Sequence, residues 1–67
     1  MGVIIIREMV GTSPRSWSDA ARQAVATASK TVRNIVLVEA VKLTAEVRDG
    51  EIVEYRAEVK ISFEYEG

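Results

Sequence analysis

Glu51-Ile52-Val53-Glu54-Tyr55-Arg56-Ala57-Glu58-Val59-Lys60-Ile61-Ser62-Phe63-Glu64-Tyr65-Glu66 is the stretch that decides the fold. From Val53 onward, Val53, Tyr55, Ala57, Val59, Ile61, Phe63 and Tyr65 alternate with Glu54, Arg56, Glu58, Lys60, Ser62, Glu64 and Glu66. A period of two puts the first set on one side of a strand and the second on the other. This is the pattern of a half-buried antiparallel strand, apolar inward and polar outward. At about 3.3 Å per residue the strand would reach roughly 50 Å, well beyond the usual five or six residues of a small domain. Its far end therefore needs a cover.

Working back along the chain, one segment has helical periodicity. From Trp17 to Val32 the residues Trp17, Ala20, Ala21, Ala24, Val25, Ala28 and Val32 recur at steps of three and four. Such a helix would be about 24 Å long at 1.5 Å per residue, enough for about half of the sheet. The mismatch implies that other copies of the chain bury the remaining apolar surface, in an obligate oligomer. Length and composition point the same way. The chain has 67 residues and no cysteine, so it lacks disulfides and thiolate metal sites. At this size core burial barely offsets chain entropy.

Val3 to Val10 reads as a first strand, rich in isoleucine and valine. Gly11-Thr12-Ser13-Pro14-Arg15-Ser16 reads as the break between strand and helix. Ser16 is the N-cap for a helix starting at Trp17, with Asp19 in the first turn near the positive end of the dipole. Thr12 or Ser13 as cap with Pro14 in the first helical position is the alternative. Asn34 is expected to end the helix in a left-handed conformation. A second strand then runs from Ile35 to about Arg48, with Ile35, Leu37, Val41, Leu43, Ala45 and Val47 on one face, interrupted by Glu39. Val36, Val38 and Ala40 make the other face apolar too, so its first half is expected to be buried on both sides. Asp49-Gly50 predicts a two-residue type I′ turn, since both central positions need positive φ. The expected fold is α+β, in the order strand, helix, strand, strand, with a three-stranded antiparallel sheet wrapped on one helix. One domain, residues 1–67, is expected.

Composition narrows the function. Nine basic and ten acidic residues give a net charge of −1. They are interleaved along the strands, which speaks against a nucleic-acid partner. Gly2 to Ile6 is too short an apolar run for a signal core or a membrane span, so a cytoplasmic protein with no membrane partner is expected. With no histidine and no cysteine, imidazole and thiolate chemistry is absent, and no pair of glutamates has a spacing that singles it out. A non-enzyme is therefore expected.

The first strand ending in Val10-Gly11-Thr12-Ser13, the helix, Asn34-Ile35-Val36, the long hairpin and the closing Val59-Lys60-Ile61-Ser62-Phe63 together resemble the dodecin family. The resemblance covers essentially the whole chain. It implies a hollow homododecamer whose best-known members bind flavins. In those members a tryptophan early in the second strand stacks on the isoalloxazine ring, and a glutamine on the third strand hydrogen-bonds its polar edge. By the resemblance these positions fall at Leu37 and Arg56, with Val38 and Glu39 beside the first. Leucine has no π-face, which removes a stacking contribution of roughly 0.5–1.5 kcal/mol. Arginine donates hydrogen bonds but accepts none.

Ser13-Pro14-Arg15-Ser16-Trp17 looks closest to a branch of the family that lacks the flavin tryptophan and is described as calcium dodecin. Calcium takes six to eight oxygen ligands. Glu39, Glu46 and Glu58 are the metal candidates, with Glu54 and Glu64 in reserve, and such a site would be assembled across subunits. Trp17 reads as a core or interface anchor, with a ligand platform as its alternative. Arg56 reads as a cross-strand partner of Glu39, Glu46, Glu54 or Glu58. Thr12 and Ser13 read as capping residues, with a phosphate site as the alternative.

Two functions follow. The first is a non-catalytic shell for a small ligand or an ion, calcium or another cation, with the usual flavin site altered. The alternative is genuine binding and sequestration of riboflavin or FMN.

Overall fold

The computed structural model describes residues 2–65. Strand β1 (Ile4–Ser13), helix α1 (Trp17–Ala28), strand β2 (Ile35–Arg48) and strand β3 (Glu51–Glu64) follow in that order. The sheet is antiparallel with β3 in the centre, in the order β1-β3-β2. This is the expected α+β arrangement. Asp49 and Gly50 have φ of 51° and 79°, so the hairpin closes through the two positive-φ positions that the Asp-Gly pair predicts. Glu66, which the alternation placed on the outer face of β3, lies outside the described residues.

β1 does not break at Gly11 as the sequence suggests. It continues through Gly11, Thr12 and Ser13, opposite Ala57, Arg56 and Tyr55 of β3. The glycine serves packing rather than chain reversal: a Cβ built on Gly11 would lie 1.9 Å from the Ala20 carbonyl oxygen of α1. The helix backbone thus rests directly on the strand. Ala20, Ala24 and Ala28 form the buried stripe at four-residue steps and meet Ala57, Val59 and Ile61 of β3.

Ser16 is the N-cap, its Oγ accepting from the Asp19 N–H at 3.0 Å. Ser13 does not cap. It is 3 % exposed, accepts from the Arg15 N–H at 2.9 Å and donates to Asp19 Oδ2 at 2.7 Å. Arg15 Nε stands 3.7 Å from the same Asp19 oxygen. The Ser13 hydrogen bond, aided by Arg15, holds the Asp19 carboxyl below the usual carboxylate range. At the other end the helix stops at Ala28, short of the expected Val32. The Ser29 hydroxyl donates to its own helix at Val25 O, and the Thr31 and Val32 N–H groups both turn onto Ala28 O. Asn34 is left-handed, with φ 62°, but it steers the chain into β2 instead of capping α1.

β2 differs from its strict period-two reading. Register shifts between Ile35 and Leu37 and between Ala40 and Lys42 each insert one extra residue and exchange the faces. Ile35, Val38, Ala40, Leu43 and Ala45 oppose the helix-facing residues of β3, whereas Leu37 opposes Ser62 on the helix-free face. Burial of the first half of β2 on both sides is not found within one chain: Val36, Leu37 and Val38 are all exposed. The reason is coverage. A 12-residue helix is about 18 Å long and packs mainly on β1 and β3, only marginally on β2. The molecule measures 51 × 20 × 13 Å. Its radius of gyration of 13.6 Å exceeds the ~11 Å of a compact chain of this length.

Two outcomes follow from these contacts. Gly11→Ala should lower stability by about 3 kcal/mol or prevent folding, since the clash is with backbone and cannot be relieved by a rotamer change. Urea unfolding at fixed protein concentration measures this, with Gly2→Ala, which meets nothing within 4 Å, as the silent control. Because the Asp19 pKa is lowered in the folded state, its stabilising share is present above the ordinary value of 3.8 and is lost as pH falls through the folded pKa. Asp19→Asn should flatten that acid limb in a pH series of melting temperatures.

Candidate functional site

The helix-free face of the sheet carries the polar half of β3. Antiparallel register sets up rows across the three strands: Ile6, Ser62 and Leu37; Glu8, Lys60 and Glu39; Val10, Glu58 and Lys42; Thr12, Arg56 and Thr44. Glu54 and Glu46 form the next pair toward the hairpin tip. Charge therefore alternates in sign along the central strand from Glu54 to Lys60.

Arg56 is committed to its neighbours. Its Nε donates to Glu54 Oε1 at 2.8 Å and its Nη2 to Glu46 Oε1 at 3.0 Å. The second Glu46 oxygen accepts from Arg48, at 2.9 Å from Nε and 2.8 Å from Nη2. Glu54, by its hydrogen bond and charge, raises the Arg56 pKa still further above its already high value. Two guanidinium groups and two carboxylates thus neutralise one another. The cross-strand reading of Arg56 holds for Glu46, and Glu54 joins from the same strand, whereas Glu39 and Glu58 stand in other rows.

The site residues named from the sequence do not converge within one chain. Leu37 is opposite Ser62 and Arg56 opposite Thr44, six positions apart on β3, or about 20 Å at 3.3 Å per residue. Leu37 is 58 % exposed. Val38 belongs to the other face, opposite Ile61. There it lines an apolar groove of about 290 Å³ with Ala21 and Val25 of α1. Glu39, Glu46 and Glu58 occupy three separate rows. Among the described residues no three acidic side chains gather closely enough to hold a metal ion.

Trp17 is an anchor. Its Nε1–H donates to Thr44 O on β2 at 2.8 Å, and its ring meets Tyr55 edge-on at a centroid distance of 5.0 Å. This tie holds the start of α1 against the proximal half of the hairpin. Beyond it Val47, Ile52 and Val53 project uncovered.

Sequence reasoning passed over Arg7 and Arg33, which line one groove of about 270 Å³ beyond the end of α1 together with Thr31, Asn34, Phe63 and Glu64. The available signal was Arg7 itself, a charge at an inward position between Ile5 and Met9. No described helix is long and apolar enough to cross a membrane.

Comparison with known proteins places this geometry. The dodecin family model matches residues 3–66. No curated protein matches the sequence. Among solved structures, the dodecin from Streptomyces coelicolor is 30% identical, with a TM-score of 0.95 over 98% of this chain and 94% of the other. A variant of the Thermus thermophilus dodecin is 27% identical, with a TM-score of 0.96 and full coverage of both chains. Calcium dodecin from Mycobacterium tuberculosis, described as a calcium-chelating antigen with a novel calcium-binding site, is 32% identical, with a TM-score of 0.83 over 96% of this chain and 91% of the other. With the strand order, the single packed helix and nearly the whole length in agreement, the chain belongs to the dodecin family.

Proposed function

We propose that this chain, as one domain spanning residues 1–67, is the subunit of a hollow homododecamer that binds and stores a small ligand or a cation without catalysis. The observation that carries the assembly is uncovered apolar surface. Fourteen large apolar residues are exposed among the described residues, against two that are fully buried, Val59 and Ile61. The surface of 5041 Å² compares with about 4,200 Å² for a compact monomer of this mass. Exposed residues occur on β1 (Ile4, Ile6, Val10), on β2 (Leu37, Val41) and at the hairpin tip, so a single flat partner would not cover them all. A shell in which each subunit meets several others suits this distribution.

The stored species, on this reading, is not held in the usual flavin manner. Leu37 supplies contact area without a π-face, and Arg56 has its Nε and one terminal nitrogen engaged by Glu54 and Glu46. Since Leu37 and Arg56 of one chain are about 20 Å apart, any pocket using both positions takes them from different subunits. A cation would likewise draw on glutamates of several chains, from the candidates Glu39, Glu46 and Glu58. The calcium dodecin at 32% identity supports the cation reading. The alternative, riboflavin or FMN sequestration, draws support from the closer backbone agreement with the Streptomyces and Thermus dodecins.

Melting temperatures separate the two readings, because a ligand that binds only the folded state raises stability with its concentration. The proposal expects a shift with calcium chloride and none with riboflavin; a riboflavin shift without a calcium shift contradicts it. A second experiment tests the pocket positions. Leu37→Trp combined with Arg56→Gln should raise riboflavin affinity at least tenfold in fluorescence titration. A double variant that assembles normally without that gain contradicts the assignment of Leu37 and Arg56.

A further inference from the structure

Arg7 breaks the pattern of its strand. On β1 the helix-facing positions are Ile5, Arg7, Met9, Gly11 and Ser13, opposite Phe63, Ile61, Val59, Ala57 and Tyr55. Four of these five are apolar or small, and the register partner of Arg7, Ile61, is one of the two large side chains buried completely. A charge is tolerated there because α1 ends at Ala28 and leaves the sheet open beyond it. The opening is a groove of about 270 Å³ into which Arg7 comes from β1 and Arg33 from the segment before β2, with Thr31, Asn34 and Phe63 around them. A small apolar pit of about 60 Å³, walled by Ala28, Ile61 and Phe63, adjoins it and shares Arg7.

Arg7 and Arg33, like Arg22 on the helix, stand apart from the paired guanidinium groups. Arg15, Arg48 and Arg56 each stand within 3.7 Å of a carboxylate. Neither Arg7 nor Arg33 makes an ion pair or a side-chain hydrogen bond among the described residues, although Glu64 also lines the groove. Two cations with free donor forks, a hydroxyl and an amide beside them, and an apolar floor match one ligand chemistry: a dianionic oxyanion on an apolar body. We propose that this groove binds a phosphate monoester carried on an aromatic or aliphatic group. The site is on the face of the sheet opposite Leu37 and Arg56, so it is separate from the positions discussed above and stands or falls independently of them.

The competing role for Arg7 is structural. α1 has no basic residue in its last turn, and a cation near its C-terminus would complement the helix dipole. That role would move stability but not ligand affinity, so binding is the readout. The assembled protein is titrated with 1-naphthyl phosphate, 1-naphthol and inorganic phosphate. 1-Naphthyl phosphate should bind at least tenfold more tightly than either of the others. Arg7→Gln with Arg33→Gln should weaken it at least tenfold, and Arg22→Gln, a change on the helix outside the groove, should leave it unchanged. Equal affinity in wild type and double variant overturns the proposal, as does an equal loss in Arg22→Gln, which would mark a bulk charge effect. If the double variant does not assemble, the single variants are read the same way, and full affinity in both overturns it.

Discussion

The contact on which the rest of the structure depends is the one between the backbone of α1 and the backbone of β1 at Gly11. With no side chain at Gly11 and alanines at positions 20, 24 and 28, the helix can lie against the sheet at the shortest distance sterics allow. Close approach brings many dispersion contacts per residue, but it also makes the buried layer thin. Among the described residues its only large members that are fully buried are Val59 and Ile61. The fold therefore combines a well-fitted but small core with strands that run far past it.

This imbalance links packing to function. A hairpin of two 14-residue strands under a 12-residue helix leaves apolar side chains uncovered at both ends and on both faces. A chain of this size cannot leave so much apolar surface in water and keep a comfortable stability margin. Association with further copies removes that surface and at the same time brings together positions that one chain keeps about 20 Å apart. The helix-free face shows the same dependence in its charges: the neutral cluster of Arg48, Glu46, Arg56 and Glu54 is complete within one subunit, while Glu39 and Glu58 make no ion pair among the described residues. Site chemistry and assembly are one problem in this molecule.

Much of the fold was legible in the sequence because β3 alternates with few faults and Asp49-Gly50 fits the turn it makes. Ser16 as N-cap was legible too, since its hydroxyl and Asp19 three residues on carry their own chemistry. β2 was less so. Its bulges lie inside an apolar run, where nothing in residue type marks the place at which the faces exchange, and so Leu37 was grouped with Ile35. Gly11-Thr12-Ser13 was read as a break because glycine and hydroxyl residues usually punctuate elements; here Gly11 serves helix contact and Ser13 the Asp19 network, which only the tertiary fold reveals. Arg56 was legible as a pairing residue; register brings Glu46 to it from β2, and Glu54 stands two residues away on its own strand. The Arg7 and Arg33 groove joins residues far apart in the chain and was invisible to spacing.

Neighbouring copies that cover the exposed apolar residues of β1, β2 and the hairpin tip are what the fold requires. Native mass spectrometry of the protein as purified tests this most directly, because it reports subunit count and retained ligand mass together. A twelve-subunit particle carrying metal-sized increments or none is the expected result, and a monomer at working concentration would contradict the requirement for neighbouring copies.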